Sequence, residues 1–167
     1  SKDDPTSIMQ IYDGTMICGN HALSQREINL RQEKFYDPYH EAISSFIKNK
    51  RAKNITPCLV SIHSFTPKIN NQPLRPWHIG VLWDKDTRMS ELVINELAKN
   101  EKICIGKNKP YSGNLRGDTL SQHGTFNNLP HVLIEIRNDL ILDAPGQKKW
   151  SAILARVLKE SIKKIKE

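Results

Sequence analysis

An acid inside an apolar, β-branched run is the first residue here whose type and setting could do chemistry: Glu135 in VLIEIRNDL. Burying a carboxylate without a partner is costly. It is therefore either a structural ion pair with Arg75 or Arg137 or a group kept for proton transfer. Arg137 follows two residues later, and strand alternation turns both side chains to one face. A carboxylate beside a guanidinium suits general-base chemistry next to an anionic substrate group, because arginine holds a carboxylate through two parallel hydrogen bonds.

His63 closes the apolar run CLVSIH and is followed by the polar SFTP. Its imidazole is expected in the crevice beyond a strand end, and neutral imidazole is the commonest metal ligand. The plain alternative is a hydrogen-bonded side chain with no ligand role. RPWHIG sets Arg75 and His78 around a tryptophan. NKPYSG supplies Tyr111, Ser112 and Gly113, and His123 lies on the polar connection that follows. Singly these read as loop residues; together they are the inventory of a polar pocket for a small anion.

The elements that must position these groups are legible from periodicity. CLVSIH at 58–63 reads as a strand buried on both faces, IGVLW at 79–83 as a second, Lys102–Ile105 as a short third and VLIEI at 132–136 as the strongest. Ser24 with Glu27 forms a capping box opening a helix toward Lys48, which Pro38 must break or kink. Further helices are expected from about Met89 to Asn100 and from Gln147 to about Lys166, each with apolar residues at helical spacing. Residues 1–20 read as an irregular lead-in and 106–128 as a long connection, a length that is often functional. Alternating helices and apolar strands argue for an α/β fold: a mixed, mainly parallel central sheet with helices on both faces, in a single domain over 1–167. In such sheets ligands bind beyond the carboxyl ends of the strands, where His63 and Glu135 fall.

Composition restricts the partners. No apolar run approaches the roughly 18 residues of a membrane span, so no membrane partner is expected. The three cysteines, Cys18, Cys58 and Cys104, are widely spaced, which favours a reducing, cytoplasmic setting. The net charge of +7 admits a basic nucleic-acid-binding module as an alternative. Much of the surplus, however, sits in Lys48, Lys50, Arg51 and Lys53 and in Lys159, Lys163, Lys164 and Lys166, at expected helix ends. Cations there complement the helix dipole, so nucleic acid is not the expected partner.

HSFTP at 63–67, RPWHIGVLW at 75–83, NKPYSG at 108–113 and IEIRNDLI at 134–141 resemble successive motifs of the N-formylglutamate amidohydrolase family. GNHALSQRE at 19–27 and YDPYH at 36–40 are similar to it as well, so the resemblance runs in order along nearly the whole chain. It implies a phosphorylase/hydrolase-like α/β fold, related in site design to zinc carboxypeptidases, that hydrolyses an amide such as the formamide of N-formyl-glutamate. A zinc ion would polarise the formyl oxygen and acidify its water, and a carboxylate would carry the proton to the leaving amine. His63 matches the family's metal histidine and Glu135 the acid of its EIR motif. Arg75 and Arg137 match cations for substrate carboxylates, with His78, Tyr111 and His123 as secondary contacts. The implied substrate is a small anionic N-acyl amino acid.

One departure from the family pattern matters. The family's opening segment, with a His motif, an acid and an SR...D.NR stretch, has no counterpart, because PTSIMQIYDGTMICGN resembles the region just downstream. The chain is thus expected to be the C-terminal part of the domain, with the other zinc ligands in the upstream segment. Missing strands would leave an unpaired edge, favouring self-association or association with a separate N-terminal piece. The alternative is a non-catalytic binding or structural protein that keeps the fold without the metal site.

Overall fold

The computed structural model describes residues 2, 4–114 and 117–165. The chain divides into two compact units, Ser1–Pro57 with Arg116–Thr119, and Cys58–Leu115 with Leu120–Glu167.

The first unit is mostly helical. Its lead-in is less irregular than the sequence suggests: β1 (Ile11–Tyr12) and β2 (Thr15–Met16) form a small antiparallel hairpin. Asp13 and Gly14 turn it with φ of 48° and 75°. That Asp-Gly pair is the favoured chemistry of a two-residue hairpin turn, which needs positive φ twice. Helix α1 (Gln25–Arg31) opens on the expected capping box, with Glu27 Oε2 accepting from the Ser24 amide at 2.8 Å. Pro38 does not interrupt the helical course of the chain beyond α1. A π-helical stretch, Gln32–Tyr36, leads into α2 (Asp37–Arg51) with the proline in the first turn. The wider turn accommodates a residue that lacks an amide hydrogen and crowds the preceding carbonyl. Lys48, Lys50 and Arg51 occupy the last turn of α2, the favourable end of its dipole.

The second unit is a four-stranded mixed sheet in the order β3-β6-β4-β5. Strands β3 (Leu59–Phe65) and β6 (His131–Arg137) run parallel, as do β4 (Ile79–Leu82) and β5 (Ile105–Lys107), whereas β4 and β6 are antiparallel. The doubly buried strand is β6, central in the sheet. β3 lies at the edge with Ile62 52% exposed, correcting the expectation of burial on both its faces. β5 begins three residues later than Lys102, because the Lys102 and Ile103 amides still donate to the Asn100 side chain and carbonyl in the turn before the strand.

One face of the sheet, with Ile79, Val81, Val132, Ile134 and Ile136, packs on α3 (Arg88–Ala98) and α5 (Ala144–Ile165). Met89, Val93 and Leu97 of α3 and Trp150, Leu154 and Val157 of α5 complete that core. Each such side chain taken from water contributes about 1.5–3 kcal/mol. Glu96 of α3 is buried between Lys99 at 2.7 Å and Lys164 of α5 at 2.6 Å. These two ammonium groups hold its carboxyl down at about 2, and the pairing pins α5 to α3. Lys163 pairs with Glu160, so the basic end of α5 is partly engaged in ion pairs. Lys166, the expected end of this helix, lies outside the described residues.

The opposite face carries a smaller cluster of Leu82, Leu120 and Leu133, with Leu59 and Tyr111 against it. Leu120 belongs to α4 (Thr119–His123), a short helix inside the stretch expected to be a plain connection. Helices thus lie on both faces, but within this unit the long ones occupy one face only.

Candidate active site

Strand parity decides which groups meet on the lightly covered face. His63 and Glu135 are register partners across β3 and β6, and Gly80 of β4 is the partner of Glu135 on its other side. Partners directly across a sheet project to the same face. His63 Nδ1 lies 3.8 Å from Glu135 Oε1, beyond hydrogen-bond length, so the two interact as polar groups across a short gap.

Glu135 is buried, and its Oε2 accepts no hydrogen bond from any described residue. Burial raises its pKa above the ordinary carboxyl value, while the charges of His63 and Arg75 pull the other way without cancelling the rise. A carboxyl held in this condition is suited to taking up and returning a proton.

The charge of Arg75, on the loop before β4, reaches this carboxylate. Its Nη1 donates to the Thr66 carbonyl and to the Tyr111 hydroxyl, each at 3.1 Å. Its guanidinium lies 5.8 Å from the Phe65 ring centre and 5.1 Å from that of Tyr111. Two aromatic rings and two acceptors therefore fix the guanidinium, whose charge acts on Glu135, as cation–π and charge-assisted contacts do.

The other sequence candidates are placed differently. Arg137 shares the face by parity, but its guanidinium turns to Asp139 at 2.8 Å and to the carbonyls of Arg75 and Trp77 at 3.2 and 3.5 Å. It braces the loop that carries Arg75. His78 accepts the Cys104 amide at Nδ1, 2.9 Å away, among Arg137, Asp139 and Lys149; burial first and Arg137 next lower its pKa. His123 is buried at the end of α4, and burial lowers its pKa as well. Ser112 is exposed, its hydroxyl accepting from the Asn114 amide at 3.2 Å in a local turn.

Sequence reading missed the glycines. A Cβ on Gly80 would collide with the Lys109 carbonyl, and one on Gly106 would lie 2.6 Å from the same oxygen and 2.9 Å from the Trp77 ring. Both glycines let the Lys109 backbone approach the sheet closely, within the segment that carries Tyr111. Glycine inside a strand is the sequence signal for such close backbone approach.

The N-formylglutamate amidohydrolase family matches residues 1–142, which include every member of this cluster. The chain belongs to that family. None of the curated proteins matches it in sequence. Among solved structures, a gene product of Agrobacterium tumefaciens superposes with a TM-score of 0.91 at 28% identity, over 100% of this chain and 66% of that one. An N-formylglutamate amidohydrolase from Ralstonia eutropha JMP134 superposes with a TM-score of 0.60 at 19% identity, over 86% of this chain and 56% of that one, a likeness of fold. The chain thus spans less than two thirds of the length of either structure.

A catalytic zinc takes three protein ligands and keeps one open position. No group of three or more His, Cys, Asp or Glu side chains that could hold a metal occurs among the described residues of this family member. His63 and Glu135 offer one imidazole and one carboxylate. The described residues therefore do not by themselves fit a catalytic zinc.

Proposed function

We infer that this chain carries the proton-transfer and anion-binding groups of an amidohydrolase acting on an N-formyl or N-acyl amino acid such as N-formyl-L-glutamate. The single observation carrying this reading is the His63–Glu135 pair, with a buried, raised-pKa carboxyl within reach of the Arg75 charge. Family membership supplies the reaction class.

In the proposed reaction Glu135 takes a proton from water as the water oxygen bonds to the formyl carbon. The same carboxyl returns that proton to the amide nitrogen as the C–N bond breaks, leaving formate and the free amino acid. Arg75 holds a carboxylate of the substrate so that the amide lies over Glu135. Orientation of this kind is a large part of catalysis, and a positioned acid–base contributes about 10²–10⁴-fold.

Zinc enters the proposal only through His63, as one ligand in a site needing further ligands that the described residues do not supply. That shortfall favours a second reading, a non-catalytic family member that binds an anionic amino-acid derivative at Arg75.

Formate release from N-formyl-L-glutamate, measured for the wild type and for Glu135→Gln, separates the two. Turnover by the wild type that is lost in E135Q supports the hydrolase; equal rates in both would remove Glu135 from the mechanism. Zinc titration of His63→Ala tests the ligand assignment, and unchanged affinity would count against it.

A further inference from the structure

One side chain closes the segment that presents Tyr111 to Arg75. Asn108 Oδ1 accepts from the Trp83 amide at 3.0 Å and from the Gly113 amide at 3.1 Å. Its own amide donates to the Val81 carbonyl at 2.9 Å. A single oxygen thus ties the residue after β4 to the far end of the 108–113 segment. Asn108 also sits at φ 49°, a left-handed backbone that asparagine and aspartate adopt more readily than other side-chain-bearing residues. Two independent demands, a side-chain acceptor and a left-handed backbone, meet at this position.

Tyr111 lies between the tied ends. Its ring packs against the Leu82, Leu120 and Leu133 cluster, and its hydroxyl accepts from Arg75 Nη1 at 3.1 Å. Apolar packing fixes how deep the ring sits but has little directional preference. The direction of the hydroxyl depends on the backbone that carries the ring, and Asn108 ties both ends of that stretch.

We propose that Asn108 is a positioning residue for the substrate anion, acting through Tyr111 on Arg75. The inference rests on the reading of Arg75 as the substrate anchor. Asn108 touches none of the groups assigned to substrate or proton transfer, so its removal should weaken anion binding and leave the proton-transfer step largely intact. Only its acceptor oxygen makes the two clamp bonds, so aspartate should replace it and glycine, which keeps the backbone conformation, should not.

The test compares Asn108→Gly with Asn108→Asp in the full chain. For N108G, KM for N-formyl-L-glutamate should rise roughly tenfold with kcat within about twofold, and N108D should restore KM. The Tyr111 ring-carbon NMR resonance, assigned with Tyr111→Phe, should shift in N108G and return in N108D. Y111F alone should reproduce the KM rise, and N108G added to it should cost little more, because both act through one contact. Should N108G not fold, Asn108→Ser, too short to reach both amides, takes its place.

An unchanged Tyr111 resonance and KM in N108G, or N108D as impaired as N108G, would overturn the proposal. Calorimetric binding of N-formyl-L-glutamate keeps this inference apart from the hydrolase reading. A Kd that rises in N108G and recovers in N108D, with no turnover in any variant, would leave the clamp standing and sink the hydrolase.

Discussion

His63 and Glu135 share one rung of the parallel β3–β6 ladder, yet the His63 side chain is 57% exposed and that of Glu135 only 7%. The edge position of β3 leaves the imidazole open, while central β6 encloses the carboxylate. That contrast gives one rung an accessible polar group and a desolvated acid, and several consequences can be measured.

Glu135→Gln is expected to abolish turnover while leaving the fold intact or firmer at neutral pH. The folded protein binds the Glu135 proton more tightly than the unfolded chain, since the folded pKa is raised. This group therefore costs nothing below the unfolded value and subtracts stability as pH rises through the folded one. Thermal melts should show E135Q at least as stable as wild type at pH 8, with the difference shrinking toward pH 4. A variant much less stable at pH 8 would contradict the desolvation argument.

Glu96 behaves in the opposite sense. Its carboxyl is held at about 2 by Lys164 and Lys99, so its contribution is present above the unfolded carboxyl pKa and is lost as pH falls toward about 2. Glu96→Gln should lower Tm at pH 7 and converge with wild type near pH 2. Parallel melting curves across that range would show that the pairing contributes nothing.

The two arginines are held by different partners. Arg75→Lys loses the planar fork and the contact with Tyr111, and should raise KM roughly tenfold with little change in Tm. Arg137→Ala unties the Asp139 pair and frees the carbonyls of Arg75 and Trp77, and should lower stability by about 1–3 kcal/mol in urea unfolding. If R137A changed KM alone with stability intact, Arg137 would belong to the anion seat.

Gly80→Ala tests the backbone approach over the sheet. Its methyl group meets the Lys109 carbonyl, so the 108–113 segment must shift or the sheet must strain, at about 1–3 kcal/mol. A loss of that size in urea unfolding, with a displaced Tyr111 resonance, is the expected outcome. A neutral substitution would mean the segment can move without cost.

The sequence alone singled out both residues of one rung and most of the elements that hold them. A lone acid in VLIEI, a histidine ending CLVSIH and the alternation of strands and helices are local signals. Strand period, capping chemistry and the cost of a buried carboxylate act through near neighbours, so they are written in short stretches of chain. The Ser24–Glu27 capping box and the order of apolar strands were legible for that reason. The hairpin at Asp13-Gly14 carried an equally local signal that periodicity alone overlooks.

Tertiary structure decided what depends on partners distant in the chain. Parity put Arg137 on the face of Glu135, but Asp139 and two carbonyls claim its guanidinium, a competition that a strand pattern does not record. Pairing order made β3 an edge and β6 the centre, which sets the exposure of His63 and the burial of Glu135. Gly80, Gly106 and Asn108 acquired meaning only when the Lys109 backbone crossed the sheet above them. The physical reason is the same in each case: desolvation and directional hydrogen bonding depend on every neighbour in space, and most of those neighbours are remote in sequence.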